Sequence, residues 1–117
     1  MSKSKQSKGM PTFNKTEITE FINRLSKLTG IKSRKGIEYE ILSINTRIKG
    51  RRLSTLNNFY ISIDKIHHAY NKESLNSLPA LTNNKIKRKY EIEGRAQSPT
   101  WAILNALYRN EQKNFIL

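Results

Sequence analysis

Residues 36–61 read Gly-Ile-Glu-Tyr-Glu-Ile-Leu-Ser-Ile-Asn-Thr-Arg-Ile-Lys-Gly-Arg-Arg-Leu-Ser-Thr-Leu-Asn-Asn-Phe-Tyr-Ile, and their rhythm decides the fold class. Ile37, Tyr39 and Ile41 alternate with Glu38 and Glu40, which gives a strand one apolar and one charged face. Leu42 and Ile44 continue the apolar run on the opposite parity, which implies a bulge or burial on both faces. Gly50, within Lys49-Gly50-Arg51, is the expected reversal point, and Asn57-Asn58 is a second turn candidate before Phe59, Tyr60 and Ile61. Two or three antiparallel strands are therefore expected between about 37 and 61. On this reading Arg47, Lys49, Arg51 and Arg52 sit on a protruding hairpin.

Helical signals lie on both sides. Upstream, Asn14 is a good N-cap with Glu17 at the capping-box position, and Phe13 and Ile18 have the spacing of a hydrophobic staple. Ile18, Phe21, Ile22, Leu25 and Leu28 recur on one face before Gly30, so a helix is predicted from about Lys15 to Thr29. Downstream, Ser62 caps a short predicted helix in which Ile63, Ile66, His67 and Tyr70 share a face, ending near Asn71 or Lys72. From Glu73 to Gln97 the pattern breaks down into a long connection. Leu75, Leu78 and Leu81 are anchors, Asn83-Asn84 is a turn, and Tyr90 with Ile92 forms a short edge strand. Ser98 and Pro99 then open a helix from 99 to about 112 with Trp101, Leu104, Leu107 and Tyr108 as its stripe.

The expected architecture is α+β, a small antiparallel sheet of two to four strands packed with three helices in the order α-β-β-(β)-α-loop-α. Residues 1–12, rich in Ser, Lys and Gly, read as a disordered basic tail, and 13–117 as a single domain.

Charge points to the partner. Against 9 Asp and Glu stand 22 Lys and Arg, a net charge of +13 in 117 residues. Fifteen of those cations fall in four short segments: Lys3, Lys5 and Lys8; Lys32, Arg34 and Lys35; Arg47, Lys49, Arg51 and Arg52; and Lys85, Lys87, Arg88, Lys89 and Arg95. Clustered cations create a local field that scattered ones do not, and each one seated at a phosphate releases condensed counterions. The last three segments are the expected nucleic-acid contacts, with DNA favoured over RNA because a basic hairpin can enter a major groove.

Other chemistries have weaker sequence support. The chain contains no cysteine, which excludes disulfides and thiolate metal sites. His67 and His68 are helix neighbours about 100° apart and poorly placed to chelate one ion, so His67 is expected packed and His68 exposed. Glu38, Glu40, Asp64, Glu91 and Glu93 show no spacing that assembles a metal site. No metal, no cofactor and no catalytic residue is expected, and a cytoplasmic protein without a membrane span fits the hydropathy. Most aromatics are expected in the core, with one of Phe59 and Tyr60 open to stack on a base because strand neighbours point to opposite faces. The alternatives are an RNA-binding or ribonucleoprotein component, a metal-independent ribonuclease using His67, His68, Tyr70 and Arg95, and an adaptor or inhibitor that binds an acidic protein, within a larger complex.

Three segments also carry a family likeness. Gly36 to Ile41, Phe59 to Ile61 running into Ile63 to Tyr70, and Arg95 to Leu104 with its Ser-Pro-aromatic start resemble small accessory DNA-recognition domains of bacterial restriction and defence nucleases, over residues 30 to 110. The resemblance implies a duplex-DNA-binding module that lacks a nuclease centre of its own.

Overall fold

A computed structural model describes residues 15–116. The tail at 1–12, the Asn14 cap and the Phe13 staple lie outside the described residues. Helix α1, Lys15–Ser26, buries Phe21 and Leu25. Lys27 and Leu28 donate backbone bonds to carbonyls three residues back, both at 3.2 Å, so the helix tightens and stops short of Thr29. Gly30 follows in the left-handed region, at φ +63°.

Four strands come next: β1 Ile31–Lys32, β2 Glu38–Ile44, β3 Arg47–Arg52 and β4 Asn58–Ser62. They form one antiparallel sheet in the order β1-β2-β3-β4. The shifted parity of Leu42 and Ile44 has its counterpart in a break of register between Ile41 and Ser43. Tyr39, Ile48, Phe59 and Ile61 point to the buried side of the sheet.

The expected reversal at Gly50 does not occur. Gly50 lies in the middle of β3, opposite Ile41 on one side and Phe59 on the other. The chain reverses at Asn45-Thr46, closed by Asn45 N–H donating to the Arg47 carbonyl at 3.0 Å, and again over Leu53–Asn57. Leu56 takes the left-handed conformation in that second turn, at φ +61°, and Asn58 already belongs to β4. Gly50 is required for space. A Cβ there would stand 2.3 Å from Phe59 Cζ and 2.6 Å from the Glu40 carbonyl oxygen.

Helix α2, Ile63–Lys72, is capped by Ser62 as its sequence predicts, the hydroxyl accepting from Lys65 N–H at 3.4 Å. The segment expected to be a long connection is mostly ordered turns and helix. A 3-10 turn at Leu78–Ala80 leads into α3, Asn83–Tyr90, capped by Thr82. Asn83-Asn84 therefore starts a helix rather than a turn. Only Ile86 and Tyr90 of α3 are buried, and two anchors four residues apart are too few to show a helical period in sequence. The edge strand expected at Tyr90 and Ile92 is absent because Tyr90 ends α3 and Glu91 turns the chain at φ +58°.

Helix α4 runs Gln97–Ile116, beginning earlier and ending later than 99 to about 112. The 3-10 turn Gly94–Ala96 feeds straight into it, so Ser98 lies inside the first turn instead of capping it. Pro99 is tolerated there because first-turn N–H groups have no helical partner. Four helices among the described residues and a four-stranded antiparallel sheet make an α+β fold. One apolar cluster joins Phe21 and Leu25 of α1, Ile48 and Ile61 of the sheet, Ile66 of α2, Ile86 of α3 and Leu104 and Leu107 of α4. No helix among the described residues is long and apolar enough to cross a membrane.

Candidate nucleic-acid interface

Strand alternation sorts the basic residues of β3. Ile48 and Gly50 face the core, so Arg47, Lys49 and Arg51 form a row on the opposite, solvent-facing side of the sheet. Successive members of such a row stand about 6.6 Å apart along the strand. The register sets Tyr60 beside Lys49, Ser62 beside Arg47, and Glu40 and Asn58 on either side of Arg51. Lys32 and Glu38 face each other at the far edge.

Charge on this face is unevenly compensated. Arg51 forms an ion pair with Glu40, and Lys32 one with Glu38 at 3.7 Å. Arg47 and Lys49 have no carboxylate within ion-pair reach among the described residues. Instead the Arg47 guanidinium lies over the Tyr60 ring, 4.3 Å from its centroid. Phe59 is 3% exposed in the core while Tyr60 is 43% exposed, the division that adjacent strand positions require.

Arg52 belongs to a different region. It follows the core-facing parity, opposite Tyr39, and lines a cavity of about 250 Å³ with Arg95, Asn57 and Ser98. A neighbouring groove of about 340 Å³ shares Ile37 and Ser98 with that cavity and contains Lys35 and Asn83. Lys35, Arg52 and Arg95 thus line two adjoining cavities.

Arg34, expected to hold a phosphate nearby, is tied down within the protein. Its guanidinium donates to the carbonyls of Leu81 at 2.8 Å and Pro79 at 3.1 Å and stacks 4.9 Å from the centroid of Trp101. Trp101 Nε1 donates to the Leu78 carbonyl at 2.9 Å, so both side chains satisfy the 3-10 turn and its exit.

Lys85, Lys87, Arg88 and Lys89 are exposed on α3 instead of on a loop. Lys87 reaches Glu93 at 3.9 Å and Lys89 reaches Glu73 at 2.7 Å, which leaves Lys85 and Arg88 without an ion pair among the described residues. The twelve candidate cations therefore do not share one surface.

The Glu73 side chain is only 4% exposed, and it accepts from Lys89, from Tyr90 Oη and from Ser77 Oγ at 2.6 Å. Burial raises the Glu73 carboxyl, but hydrogen bonds from Lys89, Ser77 and Tyr90 and the charge of Lys89 outweigh it and hold the group below its usual range. Burial and the bond to Glu73 push the Tyr90 phenol well up. This cluster ties α3 to the end of α2.

The side chains considered for acid–base chemistry are built into packing. His67 is 5% exposed and meets Phe21 edge-on at 4.6 Å, and burial lowers its pKa. His68 is half-buried against Tyr90 at 5.7 Å rather than exposed, because α3 covers that side of α2. Tyr70 stacks on Tyr108 at 5.2 Å, and its hydroxyl engages Arg24 and Glu111. Arg95 stands apart at the cavity rim. Among the described residues no three His, Asp or Glu converge as metal ligands.

The row Arg47, Lys49, Arg51 is already written in the sequence at strand spacing. Reading Gly50 as a turn hides it. The pairing of Tyr60 with Arg47 and Lys49 has no local signal, because it depends on the register between β3 and β4. No protein-family model, curated protein or solved structure matches this chain.

Proposed function

We propose that this protein binds nucleic acid through the outer face of its sheet, holding the sugar–phosphate backbone with Arg47, Lys49 and Arg51. The observation that carries the reading is the row itself: three cations in register on the solvent-facing side of the sheet, two of them without a carboxylate partner among the described residues. Lys35, Arg52 and Arg95 extend the positive field around one end of the sheet. The role is binding without chemistry of its own.

The cations expected around a turn at Gly50 lie along strand β3 instead, with Arg47 next to the Asn45-Thr46 turn, which favours a face over a tip as the contact. Duplex DNA stands as a second reading on one observation. Strand β1 pairs only with Glu38 and Tyr39, so at the Arg47 end the sheet is three strands wide. There Arg47 directly follows the Asn45-Thr46 turn that joins β2 to β3, and a two-stranded ribbon is an element that a major groove about 12 Å wide admits.

The test is a salt-dependent titration with fluorescent duplex and single-stranded oligonucleotides. Each phosphate contact contributes about −0.7 to −0.9 to the slope of log affinity against log salt. Replacing Arg47 and Lys49 together by Gln is expected to weaken binding and flatten the slope by roughly 1.4 to 1.8. The same change at Lys85 and Arg88 is expected to alter binding much less. Wild-type affinity and slope in the Arg47/Lys49 variant would place the interface elsewhere, and a slope near zero for every oligonucleotide would dismiss nucleic acid as the ligand.

A further inference from the structure

We propose that Tyr60, backed by Arg47, is a stacking seat for an unpaired base, so that a single strand is the form of nucleic acid this face takes up; the inference rests on the sheet-face reading above. Tyr60 is unlike the other aromatics around it. Tyr39, Phe59, Tyr90 and Tyr108 are buried, Tyr70 stacks on Tyr108, and Trp101 lies under Arg34. Tyr60 alone among these is more than two-fifths exposed, at 43%.

Its surroundings match the ligand. Cross-strand pairing sets Lys49 beside Tyr60, and Arg47 lies over its ring. These are the same two cations that lack a carboxylate partner among the described residues, whereas Lys32 at the far edge and Arg51 at the other end of β3 are paired with Glu38 and Glu40. Uncompensated charge and exposed π surface thus coincide at one corner of the sheet. An aromatic face gains most from a base whose own face is free, and bases within a duplex are already stacked on their neighbours. A base stacks on the guanidinium plane over Tyr60 or displaces it to reach the ring, and the edge of Arg47 together with Lys49 meets the flanking phosphates.

The experiment uses the full chain with oligothymidylate, oligouridylate and a blunt DNA duplex as probes, comparing wild type with Tyr60→Ala and Tyr60→Phe. Tyr60 is on the surface, and circular dichroism verifies that both variants fold. Tyr60→Ala is expected to weaken oligothymidylate roughly fivefold to a hundredfold, the range for one stacked base, with the salt slope unchanged. Tyr60→Phe is expected to retain the affinity. Equal loss for oligouridylate assigns the seat to unpaired bases of either nucleic acid, and loss for one alone assigns it to that one. Two results would overturn the stacking seat while sparing the sheet-face reading: unaltered single-strand affinity in Tyr60→Ala, or tighter binding of the duplex than of either single strand. Absence of salt-dependent binding to all three probes in the wild type would remove both.

Discussion

Replacing Gly50 by Ala tests the centre of the sheet, because one methyl group separates two accounts of this glycine. The added Cβ would lie 2.3 Å from Phe59 Cζ, 2.7 Å from Phe59 Cε2 and 2.6 Å from the Glu40 carbonyl oxygen. Carbon atoms in contact normally stand about 3.5–4.0 Å apart, so the ring must retreat by more than about 1 Å. The ring is 3% exposed, packs edge-on against Tyr39 at 5.7 Å and lines the cavity it shares with Arg52 and Ser98, so a retreat into that space gives up its contact with Tyr39. The Glu40 oxygen is backbone of β2, and moving it disturbs the β2–β3 pairing. Overpacking of this kind costs about 1–3 kcal/mol, and a weakened ladder bond adds about 1 kcal/mol. Restricting the unfolded chain returns about 0.4–1 kcal/mol. The net expectation is a loss of roughly 2 kcal/mol, read as a lower urea midpoint and a Tm lower by roughly 8–16 °C for a domain of this size. A Gly50→Ala/Phe59→Leu pair sharpens the test. Shortening Phe59 relieves the ring contact and leaves the carbonyl contact, so the two changes should couple by at least about 0.5 kcal/mol. A glycine needed for a left-handed turn would instead cost about 1–2 kcal/mol whatever stands at 59. Additive effects, or a Gly50→Ala protein as stable as wild type, would refute the close approach of Phe59.

Three other outcomes follow from side chains that tie the helices together. Glu73→Ala, which strips partners from Tyr90, Ser77 and Lys89, is expected to destabilise by roughly 2–3 kcal/mol in urea unfolding, against roughly 0.2–1 kcal/mol for Glu40→Ala at the half-exposed Arg51 pair. Because the Glu73 carboxyl is depressed in the folded state, its contribution is fully present above the ordinary glutamate pKa of about 4.3 and is lost as pH falls through the folded value. Stability followed from pH 6 downward should therefore fall less steeply below about pH 4 in Glu73→Gln than in wild type, and identical profiles would contradict the assignment. Arg34→Lys keeps the charge but loses the fork that meets the Leu81 and Pro79 carbonyls, so a loss of about 1–2 kcal/mol is expected with nucleic-acid affinity nearly unchanged; the opposite pattern would return Arg34 to the interface.

Elements with several concordant local signals were legible in the chain. Phe21 and Leu25 at helical spacing, Ser62 before Ile63 and the alternation around Tyr39 each state a period or a cap within a few residues. Helix α3 was not legible, since its two buried residues carry no period and its cations resemble a solvated loop. Gly50 reads as a turn residue for a physical reason. A glycine that supplies positive φ and a glycine that makes room for a neighbouring ring look identical in sequence, and only the position of Phe59 across the ladder tells them apart.

The class of fold and the sign of the charge follow from the chain read locally, because hydrophobic period and ionisable side chains are local properties. Tertiary structure decided which cations act together. Strand parity sent Arg47, Lys49 and Arg51 to the open face and Arg52 to the other side, carbonyl contacts immobilised Arg34, and Glu73 and Glu93 neutralised half of the α3 cluster. The juxtaposition of Tyr60 with Arg47 and Lys49 belongs to register alone. Pairing between strands is settled by how a whole face packs on the core, and that information is spread over residues far apart in the chain.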